Sequence, residues 1–200
     1  ALQLKANIQC EDCHGPGSLH NGDSSRIVGA RFDAASCEQC HDSISGYQQK
    51  FYQIRGSHHL QAHLLAGGSV QGRASCQICH VGEGFVHLNA MGMPSIPGDV
   101  STRSGVNCVA CHKVHGSDNP HELRKVSPVT LPDRTVYDGG LGNVCANCHN
   151  SRIENPTETI NESFRGAHHG PQADIFAGTG AYDWERPYQE GLGVHKRVVE

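Results

Sequence analysis

The sequence has few of the large apolar side chains that build a protein core. Leucine, isoleucine, valine and phenylalanine together occupy 40 of its 200 positions. The formal net charge is only -4, so this scarcity does not indicate disorder, which combines low hydrophobicity with high net charge. Twenty-four glycines and nine prolines indicate turns and loops rather than long regular elements. Something other than aliphatic side chains must complete the core.

Basic clusters and long apolar runs are also missing. Sixteen Lys and Arg against 20 Asp and Glu, with no basic run, argue against a nucleic-acid partner. The uncharged stretch at residues 56–72 contains three histidines and four glycines, so it cannot span a membrane. The sequence begins without Met or an apolar leader, and we therefore expect a processed chain or part of a longer one, which is compatible with export.

Cysteine and histidine, in contrast, are abundant, with 10 and 15 residues. Every cysteine belongs to a C-x-x-C pair, and a histidine directly follows every pair. With histidine this frequent, five such coincidences have a chance of roughly 2 in a million, and C-x-x-C-H is the attachment motif of c-type haem. The five motifs comprise Cys10, Cys13 and His14; Cys37, Cys40 and His41; Cys76, Cys79 and His80; Cys108, Cys111 and His112; and Cys145, Cys148 and His149.

The spacing within the motif has a chemical reason. Two residues between the cysteines make about one tight turn, so both sulfurs reach the two vinyl groups on one porphyrin edge, and the adjacent histidine binds the iron as its proximal ligand. A zinc ribbon also uses C-x-x-C units but does not need histidine after each pair. A disulfide framework is disfavoured because the motifs use all ten thiols. We expect five covalent haem c groups, and covalent attachment outside the cytoplasm predicts a periplasmic or extracellular protein.

Ten histidines lie outside the motifs, and five haems need at most five of them as sixth ligands. Two segments, residues 55–59 and 165–169, share the pattern R-G-x-H-H, which indicates equivalent roles. Apolar residues at helical spacing before each doublet predict helices near 46–66 and 156–169, with the first histidine on the apolar stripe. Methionine offers only Met91 and Met93 as alternatives. The candidate distal ligands are His20, His58, His59, His115, His168, His169 and His195.

The candidate ligands outside the two histidine doublets differ in the sequence evidence for them. His115 follows His112 by three residues and cannot share its iron, so it is expected to reach an adjacent haem. His20 follows a Gly-Pro-Gly turn, and His195 could bind within the chain or in a neighbouring subunit. No pattern supports His63, His87 or His121, which we interpret as surface residues or propionate contacts.

The motifs start at intervals of 27 to 39 residues, too short for independent domains. We therefore expect residues 1–200 to form a single pentahaem cytochrome c domain, mostly loop with short α-helices and minimal β structure, wrapped around a row of five covalently bound haems. Helical turns are predicted at the motifs, loops at 91–105 and 126–142, and a short hairpin within 129–137.

At these residues the sequence resembles the multihaem c-type cytochromes of bacteria and archaea, especially the extracellular members that polymerise as cytochrome nanowires. The supporting segments are residues 10–20 (CEDCHGPGSLH), 108–115 (CVACHKVH) and 168–174 (HHGPQAD), followed by 178–182 (GTGAY). The resemblance implies closely packed bis-histidine haems and electron transfer with an external partner. Related chains commonly carry further haem motifs before the first segment and after the position of His195, and this sequence does not.

The leading functional hypothesis is an electron carrier or conduit, because two nitrogen ligands on each iron leave no open site for a substrate. In its sharper form, His20 or His195 binds a haem of the next subunit and drives head-to-tail polymerisation into a filament. The alternative is a multihaem reductase of nitrogen or sulfur oxyanions, which needs one open-coordinate haem. We expect redox partner proteins or an extracellular electron acceptor, and no catalytic residues.

Overall fold

The computed structural model describes residues 8–27, 34–41, 50–65, 73–91, 103–152, 170 and 172–179. These residues form short helices and loops with one two-stranded sheet, as the sequence predicted. None of the helices in these ranges is long and apolar enough to cross a membrane. The chain divides into two compact units, Ala1–His115 and Gly116–Glu200, and the expectation of a single pentahaem domain stays a prediction.

The N-terminal unit contains short helices around four of the five motifs. Its Gly82–Met91 helix packs against Ala74–His80 and also contacts Cys108–Cys111. Gly84 permits this packing, because a Cβ at this position would lie 2.4 Å from the carbonyl oxygen of Gln77. The α-helices are Cys10–His14, Gly17–His20, Ala35–Glu38, Lys50–Arg55, Ala62–Leu65, Ala74–His80, Gly82–Met91 and Cys108–Cys111, and 3-10 turns lie at Ser24–Arg26 and His59–Gln61.

The C-terminal unit contains the sheet and a small apolar core. Strand β1 (Val129–Thr130) pairs antiparallel with β2 (Val136–Tyr137), with Val129 opposite Tyr137, which confirms the predicted hairpin. The remaining elements are 3-10 turns at Pro120–Glu122 and Gly140–Gly142 and the helices Asn143–Ala146 and Gln172–Ala177. The core consists of Val129, Leu131, Ala146, Ala173 and Ala177, with Tyr137 packed against it.

The predicted helix near 46–66 is wrong as a continuous element. A helix at Lys50–Arg55 ends before Gly56, and two shorter helical pieces follow it. The Ser57 hydroxyl donates to the carbonyl oxygen of Ile54 at 2.6 Å and accepts from the His59 N–H at 3.3 Å. Serine that bonds the local backbone in this way competes with the helical ladder. The helical spacing therefore does not extend to His58, and the reason for preferring it over His59 is lost.

The loop predictions are also wrong at one place. Met91 was placed in a loop, but it ends the ten-residue helix Gly82–Met91, for which the sequence predicted no helix. Its packing on Ala74–His80 offsets the low helix propensity of glycine. Within 126–142, the hairpin and the Gly140–Gly142 turn replace part of the predicted loop. The predicted helix near 156–169 lies outside the described residues.

Candidate haem-attachment sites

Each C-x-x-C-H motif forms one turn of helix, as predicted. In three motifs the N–H of His41, His112 or His149 donates to the carbonyl oxygen of the first cysteine at 2.9 Å. The other two motifs lie inside the helices Cys10–His14 and Ala74–His80. At about 100° of rotation per residue, the two sulfurs and the imidazole project from one side of the turn. This geometry suits two thioether bonds and one iron ligand.

The cysteines are accessible for covalent chemistry. All ten are free thiols; Cys10, Cys40 and Cys145 are exposed, and the others are partly exposed. Free cysteine is ordinarily among the most buried residue types, so an accessible set of ten is unusual for structural thiols. Among the described residues, no three His, Cys, Asp or Glu side chains converge as a closed zinc site would require.

Two motifs are positioned by buried asparagines. The Asn107 side chain caps the Cys108–Cys111 helix by accepting from the Val109 N–H at 3.0 Å. The fully buried Asn143 side chain donates to the carbonyl oxygen of Val126 and to the Asp138 carboxylate, both at 2.9 Å. Asn143 also accepts from a backbone N–H at 2.8 Å. These bonds fix the backbone directly before the fourth and fifth motifs.

Two of the histidines predicted as proximal ligands have a defined ring orientation. Nδ1 of His80 lies 3.1 Å from the carbonyl oxygen of Ala62, and Nδ1 of His149 lies 3.1 Å from Oε1 of Gln172. An oxygen acceptor requires the proton on Nδ1, which makes Nε2 the nitrogen with the lone pair. Metal-binding histidines commonly make this second hydrogen bond. Both rings therefore fit an iron ligand through Nε2.

The thiols of three motifs in the N-terminal unit lie close together. The Cys37 thiol donates a hydrogen bond to the sulfur of Cys108, which lowers the pKa of Cys108 to about 7. Burial raises the pKa of Cys13, and the neighbouring sulfurs of Cys37 and Cys40 raise it further. The attachment points of the first, second and fourth motifs thus meet in space, although they are distant in sequence.

One candidate distal ligand lies beside a proximal histidine. The rings of His14 and His115 are stacked, with their centroids 5.8 Å apart and an angle of 27° between their planes. His14 belongs to the first motif, and His115 follows the fourth motif by three residues. The fold therefore joins two residues that the sequence predicted for different ends of an iron coordination axis.

The first histidine doublet lies beside the segment that leads into the fourth motif. The Val106 N–H donates to the carbonyl oxygen of His59 at 2.8 Å. Gly105 is required here, because a Cβ would lie 2.2 Å from the carbonyl oxygen of Leu60. The side chains of His58 and His59 are both exposed. His168, His169 and His195 lie outside the described residues.

Two further histidines have a buried ring nitrogen. Nδ1 of His20 and Nδ1 of His63 are buried without a hydrogen-bond partner in the described part of the chain. Buried polar nitrogens are nearly always satisfied in native proteins, so both rings are ligand candidates. His20 was predicted. His63 was not, because the burial of its Nδ1 becomes visible only in the fold.

No family model matches the chain. The C-type polyheme cytochrome OmcB of two Geobacter sulfurreducens strains is 31% identical over 175 residues, covering 72% of this chain and 21% of OmcB. OmcC of the same species is 25% identical over 181 residues, covering 74% of this chain and 22% of OmcC. The undecaheme cytochrome from the S-layer of Carboxydothermus ferrireducens matches with a TM-score of 0.51 and 24% identity, covering 88% of this chain and 28% of that one.

The chain therefore spans about a fifth of the length of the curated relatives that it matches. Those relatives are polyheme c-type cytochromes, and the S-layer structure shares the fold. The thiol pair and adjacent imidazole of each attachment motif are the donor set that covalent haem c requires. The chain belongs to the multihaem c-type cytochromes.

Proposed function

We propose that the chain transfers electrons through five covalently bound c-type haems, each held between two histidines, in an exported protein that acts as an extracellular electron conduit. When bound, each haem supplies one-electron redox chemistry. The polypeptide attaches the haems, orients their histidine ligands and holds neighbouring groups close together. Redox partner proteins or an extracellular acceptor would donate or receive the electrons.

The pairing of His14 with His115 carries this proposal. Metal–imidazole nitrogen bonds are about 2.0–2.1 Å long, so two nitrogens on opposite sides of one metal are about 4 Å apart and their ring centres about 6 Å apart. The observed centroid separation is 5.8 Å. This spacing leaves room for one iron once the two stacked rings turn edge-on to each other, with His14 as the proximal ligand and His115 as the distal ligand of the first haem.

The same pairing favours direct transfer between the first and fourth haems. His112 is the proximal histidine of the fourth motif, and only two residues separate it from His115. If His115 binds the first iron, one short peptide joins the ligands of both irons. The nearby thiols of Cys13, Cys37 and Cys108 support close packing of three haems. Electrons would then follow the spatial order of the haems, which differs from their order in the sequence.

Fully bis-histidine ligation favours a carrier over the reductase alternative, because an enzyme that reduces an oxyanion needs one iron with an open position. Low-temperature electron paramagnetic resonance counts the two kinds of haem. We expect only low-spin bis-histidine haems in the oxidised holoprotein. A high-spin haem that binds added ligands would favour the reductase instead.

The His115→Ala variant tests whether His14 and His115 bind the same iron. One of the five haems should become high-spin, while mass spectrometry still finds five haems attached. His121→Ala is the matched control, because His121 is an exposed histidine in the adjoining segment that the proposal does not use. A fully low-spin spectrum in His115→Ala would contradict the ligand pair, and a mass corresponding to fewer than five haems in the wild type would contradict the haem count.

Head-to-tail self-association is a separate part of the proposal. His20 ends the Gly17–His20 helix and has a buried, unpartnered Nδ1 among the described residues, and His195 is the second candidate. Either residue would bind a haem of the next copy, a contact that does not close and so builds a filament. Electron microscopy of the wild type and of His20→Ala and His195→Ala tests it. Dispersed wild-type monomers at high concentration would overturn it.

A further inference from the structure

The residues three positions after the two R-G-x-H-H sequences, Ala62 and Gln172, make similar contacts. Ala62 and Gln172 each lie three residues after the second histidine of a doublet, and each opens a helix, Ala62–Leu65 or Gln172–Ala177. Each also supplies an oxygen 3.1 Å from Nδ1 of a proximal histidine. Ala62 uses its backbone carbonyl toward His80, whereas Gln172 uses its side-chain amide toward His149. The residue three positions after each doublet therefore places an oxygen beside Nδ1 of a predicted proximal histidine.

The contact has a direct electronic consequence for an iron ligand. A hydrogen bond from Nδ1–H to oxygen raises the basicity of Nε2 and fixes the direction of the ring. A more basic ligand stabilises ferric over ferrous iron, and hydrogen bonding around the ligands is one of the means by which a protein sets haem potential. Because the Gln172 acceptor is a side chain, its strength can be changed without altering the backbone.

The Gln172 side chain is carried by a well-anchored helix. The Ala173 N–H donates to the carbonyl oxygen of His149 at 2.9 Å. Asp174, only 1% exposed, accepts from the backbone N–H and the hydroxyl of Ser151, both at 2.7 Å. Ala173 and Ala177 belong to the apolar core of the C-terminal unit. Three consecutive residues therefore contact His149 or its near neighbour, which holds the amide in place.

We propose that Gln172 is a positioning residue that orients His149 and lowers the reduction potential of the haem bound there, and that Ala62 has the same role for His80. The residue three positions after each R-G-x-H-H sequence would then support a proximal histidine. This inference rests on the proposed function, since it requires a haem at Cys145 and Cys148.

Two variants with opposite expected effects test the inference in the full-length holoprotein. Gln172→Leu removes the acceptor and should raise the potential of one haem, so its reduced-to-oxidised ratio at a fixed potential rises about tenfold, or about 59 mV. Gln172→Glu replaces the amide by a group that accepts more strongly and should shift the ratio by a similar factor the other way. Spectroelectrochemical titration measures both shifts, and the other four haems should not change.

Gln61→Leu is the matched control. Gln61 is an exposed glutamine directly before Ala62. The contact with His80 uses the backbone carbonyl oxygen of Ala62, which this substitution leaves in place. Its potentials should equal those of the wild type. Shifts of the same sign in both Gln172 variants would indicate loosened structure and overturn the inference, as would unchanged potentials. Peptide mass spectrometry that finds no haem at Cys145 and Cys148 would instead overturn the proposed function.

Discussion

The two units differ in their number of attachment motifs and in the arrangement of their buried apolar residues. The N-terminal unit has four attachment motifs in 115 residues, and the C-terminal unit has one in 85. In the described part of the C-terminal unit, five buried apolar residues form one continuous cluster around Leu131. The described part of the N-terminal unit is longer, yet it buries no more apolar residues than the C-terminal unit, and three of the five are alanines in both: Ala34, Ala62, Val81, Phe85 and Ala110 in the N-terminal unit.

The attachment helices show the same contrast. The helices Cys10–His14 and Ala35–Glu38 of the first two motifs contain no buried residue, and the helices of the third and fourth motifs bury one residue each. The Asn143–Ala146 helix of the fifth motif buries both Asn143 and Ala146. If the proposed haems are attached, porphyrins would supply much of the interior where motifs are dense, whereas the unit with a single motif has a continuous apolar cluster of its own. This difference predicts how each unit responds when groups are removed.

Preventing haem attachment should have the largest effect. Replacing all ten cysteines by alanine removes the thioethers and, with them, most of the N-terminal interior. We expect this unit to lose essentially its whole free energy of unfolding, about 5–15 kcal/mol for an ordinary domain. Hydrogen exchange measured by mass spectrometry should show no protection in the N-terminal unit and residual protection around β1 and Leu131. Protected amides in Ala74–His80 of the haem-free chain would contradict the expected difference between the two units.

The peptide core of the C-terminal unit gives the next largest effect. Leu131 is 2% exposed, and replacing such a leucine by alanine costs about 2–5 kcal/mol through lost burial and a cavity. Urea unfolding of the holoprotein, followed by circular dichroism, measures the change. Val136→Ala is the control, because Val136 is 67% exposed on the paired strand and should cost less than about 0.5 kcal/mol. Equal effects would mean that the cluster is not a core.

The sequence alone predicted the features that depend on the attachment motif or on local turn residues. The five helical turns and the 129–137 hairpin required only local spacing and turn residues, and both are confirmed. The long first helix was wrong because apolar periodicity continued across Ser57, whose hydroxyl bonds the backbone and ends the helix. The Gly82–Met91 helix depends on Gly84 packing against Gln77, a tertiary contact that local propensity cannot reveal.

The candidate site was likewise predictable only where a local motif defines it. The predicted cysteines and proximal histidines follow from one motif, and the spacing of His115 suggested a ligand for another haem, which stays a prediction. The partner His14 was not predictable, because 100 residues separate the two rings in the sequence. The supporting contacts of Ala62 and Gln172 were missed for the same reason, since neither residue type signals a role near a metal.

The asparagine network before the fifth motif gives a third, smaller effect. Asn143→Ala loses three side-chain hydrogen bonds and leaves the Gly139 N–H and the Val126 carbonyl without these partners. Buried groups left unsatisfied cost about 1–3 kcal/mol, so we expect a loss of about 2–3 kcal/mol in urea unfolding.

Asn107→Ala in the N-terminal unit is the counterpart. It removes one capping bond, to Val109, and should cost about 1 kcal/mol. Asn107→Asp keeps the acceptor and should restore most of that stability. A larger cost at Asn107 than at Asn143 would show that polypeptide contacts matter more in the haem-dense unit, against the contrast drawn above.

The pH dependence of the C-terminal unit should show the smallest effect. The side chain of Asn143 and the N–H of Gly140 donate to the Asp138 carboxylate and lower its pKa. The folded unit thus binds this proton less readily than the unfolded chain, so the stabilisation is present above the unfolded pKa of about 4 and is lost as pH falls through the folded pKa. The protection factors of amides in this unit, which take account of the slower intrinsic exchange in acid, should therefore fall with acid more in the wild type than in Asp138→Asn. Identical acid responses would mean that the carboxylate contributes nothing to holding the fifth motif.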